Sequence, residues 1–491
     1  MMPLDFDPDP DEFVRWAATT ANLIAERLRA PGDGPVFHPA PPELSESIET
    51  SVWPDEPQPA VQLLDEITRL IWPYPMGNNH PRFFGWVNTP SAPIAIVGEM
   101  LAAAMNPSVA GGGHAATYVE HHLLKWFRDL FAFPRGSAGL LVSGGSMATL
   151  TALTVARHVK AGWNVREEGL QSTGRAPLVL YMSNQGHSCI TKSAELLGLG
   201  RKFVRLIETD RDDRLDVAQL AQRVEEDRAA GLHPFCVVAS AGTVGTGAID
   251  PLDAIADLCA RESLWFHVDG AIGAVAILLD EFRDVLRGLE RADSLAFDPH
   301  KWLYVPVECG AVLVRDGAAL RDAFSLVPAY LRTQRDPTGG PPWFSEFGFQ
   351  QSRGFRALKL WMALRYYGRN GYRAMLRHCV AQADLLRQKI SAHPDLELCS
   401  AGGSTVISRL PIVPFRYRPA VSAMDDERLD RLNEAIMQAI QQRGKVFVTQ
   451  ARLGARFALR ASLLNYRTQS ADIDTLIDEA CQVGADLASS P

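Results

Sequence analysis

Apolar residues recur at helical spacing over residues 11–30, where Phe13, Trp16, Ala17, Leu23, Ile24 and Leu28 form a stripe before "PGDGP" breaks it. A proline-rich stretch follows (Pro35, Pro39, Pro41, Pro42), and "PAVQLLDEITRLIW" predicts a second helix. So few residues bury too little surface to fold alone. Residues 1–75 are therefore expected to form a helical arm that packs on another subunit. From about 76 to 375 short apolar runs alternate with amphipathic helices: "GLLVSGG" before "SMATLTALTVARHVK", "LVLYMS" before "HSCITKSAELLG", and "PFCVVASAG" before "PLDAIADLCARES". The runs "LWFHVDG", "SLAFDP" and "CGAVLVRD" continue the series. Such runs suit strands buried on both faces, which predicts an α/β domain with a parallel sheet and ligands beyond the carboxyl ends of its strands. After the long helix of "SRGFRALKLWMALRYYG", residues 376–491 mix helices with short strands ("STVISRL", "GKVFVTQ", "RFALRASLL"), which predicts a smaller α+β domain.

Composition narrows the function. The 491 residues are 47% hydrophobic and 22% charged, which is ordinary for an enzyme of two or three lobes. A net charge of −8 with no run of Lys and Arg disfavours a nucleic-acid surface. The seven cysteines (Cys189, Cys236, Cys259, Cys309, Cys379, Cys399, Cys481) lie far apart with no metal-binding spacing, so free thiols in a reducing compartment are expected, and no metal. The N-terminal "MMPLDFDPDPDEFVRW" lacks the features of a signal peptide, and no stretch approaches an uncharged membrane span. A soluble, cytoplasmic protein is expected.

Three strand ends carry candidate chemistry. In "LLVSGGSMATLTAL" a strand ends in Ser143-Gly144-Gly145-Ser146 and a helix begins, so bare backbone and free N–H groups could cradle one phosphate, with Ser146 and Thr149 adding hydroxyls. No Gly-Lys-Ser/Thr follows, so it is not a P-loop; an N-capped helix after a tight turn is the alternative. In "LWFHVDGAIGA", Asp269 closes an apolar strand, where an acid needs a cationic partner or a capping role. In "LAFDPHKWLY", Lys301 stands among apolar residues. Its stem could simply snorkel, but a buried, uncharged amine is also what forms a Schiff base.

With "HPRFFGWVNTPSA", "HSCITKSA", "WFHVDGA", "ADSLAFDPHKWLYVP" and "SRGFRALKLW" in this order, nearly the whole chain resembles the group II pyridoxal phosphate (PLP)-dependent amino-acid decarboxylases. The resemblance implies the type I PLP-dependent transferase fold: a large domain with a mostly parallel central sheet, an N-terminal helical arm and a small C-terminal α+β domain. It implies that Lys301 binds PLP covalently, that Asp269 pairs with the pyridinium nitrogen, and that His187 in "QGHSCITK" stacks on the ring. Gly145 and Ser146 match the phosphate-binding positions, with His300 and Asp298 helping, while Thr243 and Thr246 compete for one cofactor-proximal role. Thr89 matches a substrate-side threonine, Glu120 an acidic residue of unassigned role, and Tyr330 a loop tyrosine that delivers a proton into the partner subunit's site. The implied reaction turns an L-amino acid, aromatic for preference, into amine and carbon dioxide in a homodimer with shared active sites, without nucleic acid or membrane.

Some positions depart from the family pattern. Met147 replaces a common acidic residue, Val244 stands where a threonine usually repeats, and "NPSVAGGGH" is small where aromatic-acid enzymes are bulkier. An acidic or aliphatic substrate is therefore kept as an alternative; a PLP-dependent aldehyde synthase on the same scaffold is another, disfavoured because the chain keeps Tyr330 and His187. A catalytically silent binding protein and a carbon–carbon lyase on the same fold are weaker ones.

Overall fold

The computed structural model describes residues 8–171, 174–326, 341–399, 410–420 and 424–489. The expected strand runs form a seven-stranded sheet: β1 (Ala138–Val142), β2 (Leu178–Ser183), β3 (Val204–Ile207), β4 (His233–Ser240), β5 (Trp265–Asp269), β6 (Ser294–Phe297) and β7 (Gly310–Val314). Their order is β1-β7-β6-β5-β4-β2-β3. Strands β2 to β6 pair in parallel, and all of β2, β4, β5 and β6 is buried apart from His233 at the start of β4, as their apolar runs require.

A wholly parallel sheet is not what forms. β7 runs antiparallel to both β6 and β1. The link over 298–309 contains turns but no helix, and a parallel return needs a crossover, usually helical. The chain therefore doubles back, and this brings Cys309 and Gly310 beside the end of β1.

The smaller lobe holds an antiparallel sheet of β8 (Leu396–Leu398), β9 (Ile412–Tyr417), β10 (Thr449–Leu453) and β11 (Arg456–Ser462), in the order β10-β11-β9-β8. "RFALRASLL" supplies β11, and "GKVFVTQ" gives only its last two residues to β10. Most of "STVISRL" lies outside the described residues. The helix Arg356–Ala392 runs through the boundary expected at 375/376, with a non-helical break at Gly368 (φ 60°). Beyond the break, Ala383, Leu386 and Ile390 belong to the small-lobe core.

The expected arm helix spans Pro10–Arg29 and has no buried residue. The second predicted helix begins at Ala60–Glu66 and continues as a wider turn to Ile71. Between the large-domain elements, Arg353 and Glu120 form an ion pair of 2.5 Å with both side chains fully buried. Arg353 also donates to the carbonyls of Val109 (2.8 Å) and Leu141 (2.6 Å), while Glu120 accepts the Leu141 N–H (2.9 Å). The acidic residue without an assigned role thus ties the 106–114 stretch to β1.

Candidate active site

Strand ends β1, β4, β5 and β6 open on one cavity of about 260 Å³, lined by Gly144, Gly145, Ser146, His187, Thr243, Asp269, Asp298, His300 and Lys301, among others. At β1 the sheet gives way to the helix Gly145–Lys160, which has no side-chain cap, so its first N–H groups stay available to an anion. The glycines are there for space: a Cβ on Gly145 would stand 2.8 Å from Asp298 Oδ2, and one on Gly144 3.2 Å from the His300 ring. Thr149, the other candidate hydroxyl, is fully buried and does not line the cavity.

Asp269 ends β5 with 8% exposure, and its Oδ1 accepts the Ala271 N–H at 3.2 Å. Burial pushes this carboxyl above the usual range, with Lys301 opposing. No lysine or arginine closes an ion pair with it among the described residues. An acid left in this condition is suited to a cationic ring nitrogen.

His187 opens onto the cavity at the start of the helix Ser188–Leu196, where its Nδ1 accepts the Cys189 N–H (3.2 Å). Burial lowers its affinity for a proton, and Asp269 opposes the shift. A neutral ring suits stacking. The neighbouring Cys189 also lines the cavity, and burial pushes its thiol up to about 12, so it remains protonated.

Lys301 lies in the turn after β6. Its Nζ stands 2.9 Å from Asp298 Oδ2, and its carbonyl accepts the Thr89 hydroxyl at 2.6 Å. Thr89 is 6% exposed and does not line the cavity, so its hydroxyl holds the lysine's backbone. His300 is clasped to Cys309, whose N–H reaches its Nδ1 at 3.0 Å, and burial lowers the imidazole's proton affinity. Of the two competing threonines, Thr243 lines the cavity; Thr246 is fully buried, its hydroxyl 2.8 Å from that of Thr243. Tyr330 lies outside the described residues.

Sequence reasoning missed Arg460, on β11 of the smaller lobe. It is 6% exposed and donates to the carbonyl of Val244, a cavity residue, at 3.2 Å and to Thr449 Oγ1 at 2.8 Å. Burial lowers this guanidinium to about 10. The available signal was an arginine inside the apolar run "RFALRAS".

The residues fit pyridoxal phosphate: a cradle that any larger side chain would fill, a buried carboxylate with no ion-paired cation among the described residues, and a lysine on the same cavity. The chain matches the pyridoxal-dependent decarboxylase conserved domain over residues 41–418. It is 32% identical to an aromatic-L-amino-acid decarboxylase of Bacillus atrophaeus over 94% of this chain and 93% of that protein. A phenylacetaldehyde synthase of a Rosa hybrid cultivar is 28% identical over 93% and 90%. Among solved structures, Oryza sativa TDC with PLP and tryptamine matches with a TM-score of 0.87 and 27% identity, covering 99% of both chains. The chain belongs to the pyridoxal-dependent decarboxylase family and is a pyridoxal phosphate-dependent amino-acid carboxy-lyase.

Proposed function

We propose that this enzyme decarboxylates an L-amino acid with an aromatic side chain to its amine, as a cytoplasmic homodimer. The observation that carries the reading is the convergence of Lys301, Asp269 and His187 on one cavity. The names of the relatives support the aromatic substrate.

Lys301 is the attachment point for the cofactor, and Asp269 the partner of its ring nitrogen. His187 would stack on its ring, while Gly145, Ser146 and His300 would hold the phosphate. When bound there, pyridoxal phosphate supplies an electron sink for the bond to the departing carboxylate. The chain's task is to orient that bond, keep water out and return a proton to the α-carbon, a step assigned to Tyr330. Thr89 acts one step back, by fixing the Lys301 backbone.

Carbon dioxide release across the common L-amino acids tests the substrate; fastest turnover of an acidic or aliphatic one would overturn the aromatic assignment. Borohydride should fix the cofactor covalently to the native chain and not to Lys301→Ala. Fixation in the variant would sink the lysine assignment.

The Rosa relative keeps oxidative decarboxylation to an aldehyde as a second reading. This chain has both His187 and Tyr330, which favours amine formation. Replacing Tyr330 by Phe should slow amine release by about 10²–10⁴-fold, the usual share of a general acid, while oxygen uptake appears. An unchanged amine rate without oxygen uptake would assign the proton to another group.

A further inference from the structure

Asp298 occupies a place that phosphate binding alone does not explain. The Lys301 N–H donates to the Asp298 carbonyl at 3.0 Å, and the turn brings Lys301 Nζ to 2.9 Å from Asp298 Oδ2. The carboxylate is 2% exposed, and its Oδ1 has no hydrogen-bond partner. His300 Nε2 is farther away, at 3.8 Å from Oδ2. The same oxygen is what a Cβ on Gly145 would strike, so the carboxylate stands against the phosphate cradle itself.

Two anions in so dry a place repel each other, and a buried carboxylate there needs either a cation or a proton. Lys301 faces the complementary demand, because its amine must lose a proton to become a nucleophile. One transfer meets both. Asp269, His187 and His300 also line the cavity around Lys301, but among the described residues only Asp298 closes an ion pair with its Nζ.

We propose that Asp298 holds Lys301 as an ammonium in the cofactor-free chain and accepts its proton when the lysine becomes the nucleophile. An Nζ–H bond breaks, its electron pair stays on nitrogen, and an O–H bond forms on the carboxylate. Two opposite charges disappear together, and the net charge of the site is unchanged. The resulting carboxylic acid can donate a hydrogen bond towards the phosphate cradle instead of repelling its occupant. The inference rests on reading Lys301 as the attachment point.

The test uses the full chain stripped of cofactor, treated with trinitrobenzenesulfonate at one neutral pH, with labelling at each lysine read by peptide mass spectrometry. Replacing Asp298 by Asn keeps the shape and removes the charge, so Lys301 should label about tenfold faster or more, since the carboxylate 2.9 Å from its Nζ that holds the ammonium is gone. Exposed Lys202 is the internal reference and should not change. Asp298→Glu, which restores a carboxylate, should remain slow. Equal Lys301 labelling in the native and Asp298→Asn chains overturns the proposal. Should the Asn variant fail to fold, Asp298→Ser takes its place, with faster Lys301 labelling expected and labelling equal to the native chain overturning the proposal. Failure of borohydride fixation at Lys301 would remove the attachment reading while leaving the labelling result in place, so the two fail separately.

Discussion

His267 and Asp269 stand two residues apart on β5 and so project from the same face of the sheet. One meets the cavity; the other is wholly buried, with its Nδ1 2.9 Å from Ser294 Oγ and its Nε2 without a partner. Burial lowers His267 to about 3 from an ordinary 6.5. Because the folded chain resists this proton and the unfolded chain takes it, the contribution is complete above about pH 6.5 and is lost as pH falls towards 3. Each unit of that fall costs about 1.4 kcal/mol from this residue. The native thermal midpoint should therefore drop faster between pH 6.5 and 4.5 than that of His267→Gln; parallel curves would show that other groups set the acid limit. At Asp269 the expected loss is functional. Asp269→Asn should retain cofactor poorly and lose most activity, as absorbance and turnover would register, and near-normal turnover would leave Asp269 a purely structural role. The two residues also show how far a sequence can be read at this scale. "HVD" on an apolar run made Asp269 visible because an acid at a strand end needs a reason. The Asp298–Lys301 contact and the reach of Arg460 depend on how turns and lobes close, and no local pattern encodes that.

The cradle depends on an element that does not line the cavity. β7 begins at Gly310, where a Cβ would lie 2.4 Å from Gly144 Cα. Gly310→Ala should push the cradle out of shape and weaken cofactor retention, measured by equilibrium dialysis; unchanged retention would mean that the end of β1 can give way. The reversal that brings β7 there was not legible, since "CGAVLVRD" reads alike in either direction. The buried runs β2, β4, β5 and β6 were legible, because uninterrupted apolar residues leave a strand little choice. β9, "IVPFRY", was not: it includes a proline and the fully buried Arg416, whose pairing with Asp430 (2.6 Å) only the fold supplies. The Arg353–Glu120 clamp acts at the same scale, joining a loop, a helix and β1. Removing one side of a buried pair strands the other charge, so Arg353→Ala should cost about 3–5 kcal/mol in denaturant unfolding. A loss below about 1 kcal/mol would place the pair among dispensable contacts.

At the scale of the whole molecule, the arm leaves large apolar side chains uncovered in a single chain. Trp53 is 95% exposed, Val52 83% and Val61 70%, and the large-domain helix Pro93–Met105 leaves Val97, Met100 and Met105 about half exposed. Contiguous exposed apolar surface of this kind is what interaction sites present. A second copy is the partner we propose, with its arm covering this chain as this chain's arm covers it, in the isologous manner of a twofold dimer. The sharing of active sites has a separate test, because Lys301 and Tyr330 would serve one site from different chains. If Tyr330 reaches across, a Lys301→Ala chain still offers an intact Tyr330 to its partner, and a Tyr330→Phe chain still offers an intact Lys301. Neither homodimer has a complete site, whereas each mixed dimer has one. Co-refolding the two proteins, each deficient in amine formation, in equal amounts should produce half of the chains in mixed dimers, by random pairing, with one competent site each. The expected activity is thus about one quarter of the native value per chain. No recovery, despite mixed dimers detected by differently tagged chains, would place Tyr330 and Lys301 of the same chain in the same site.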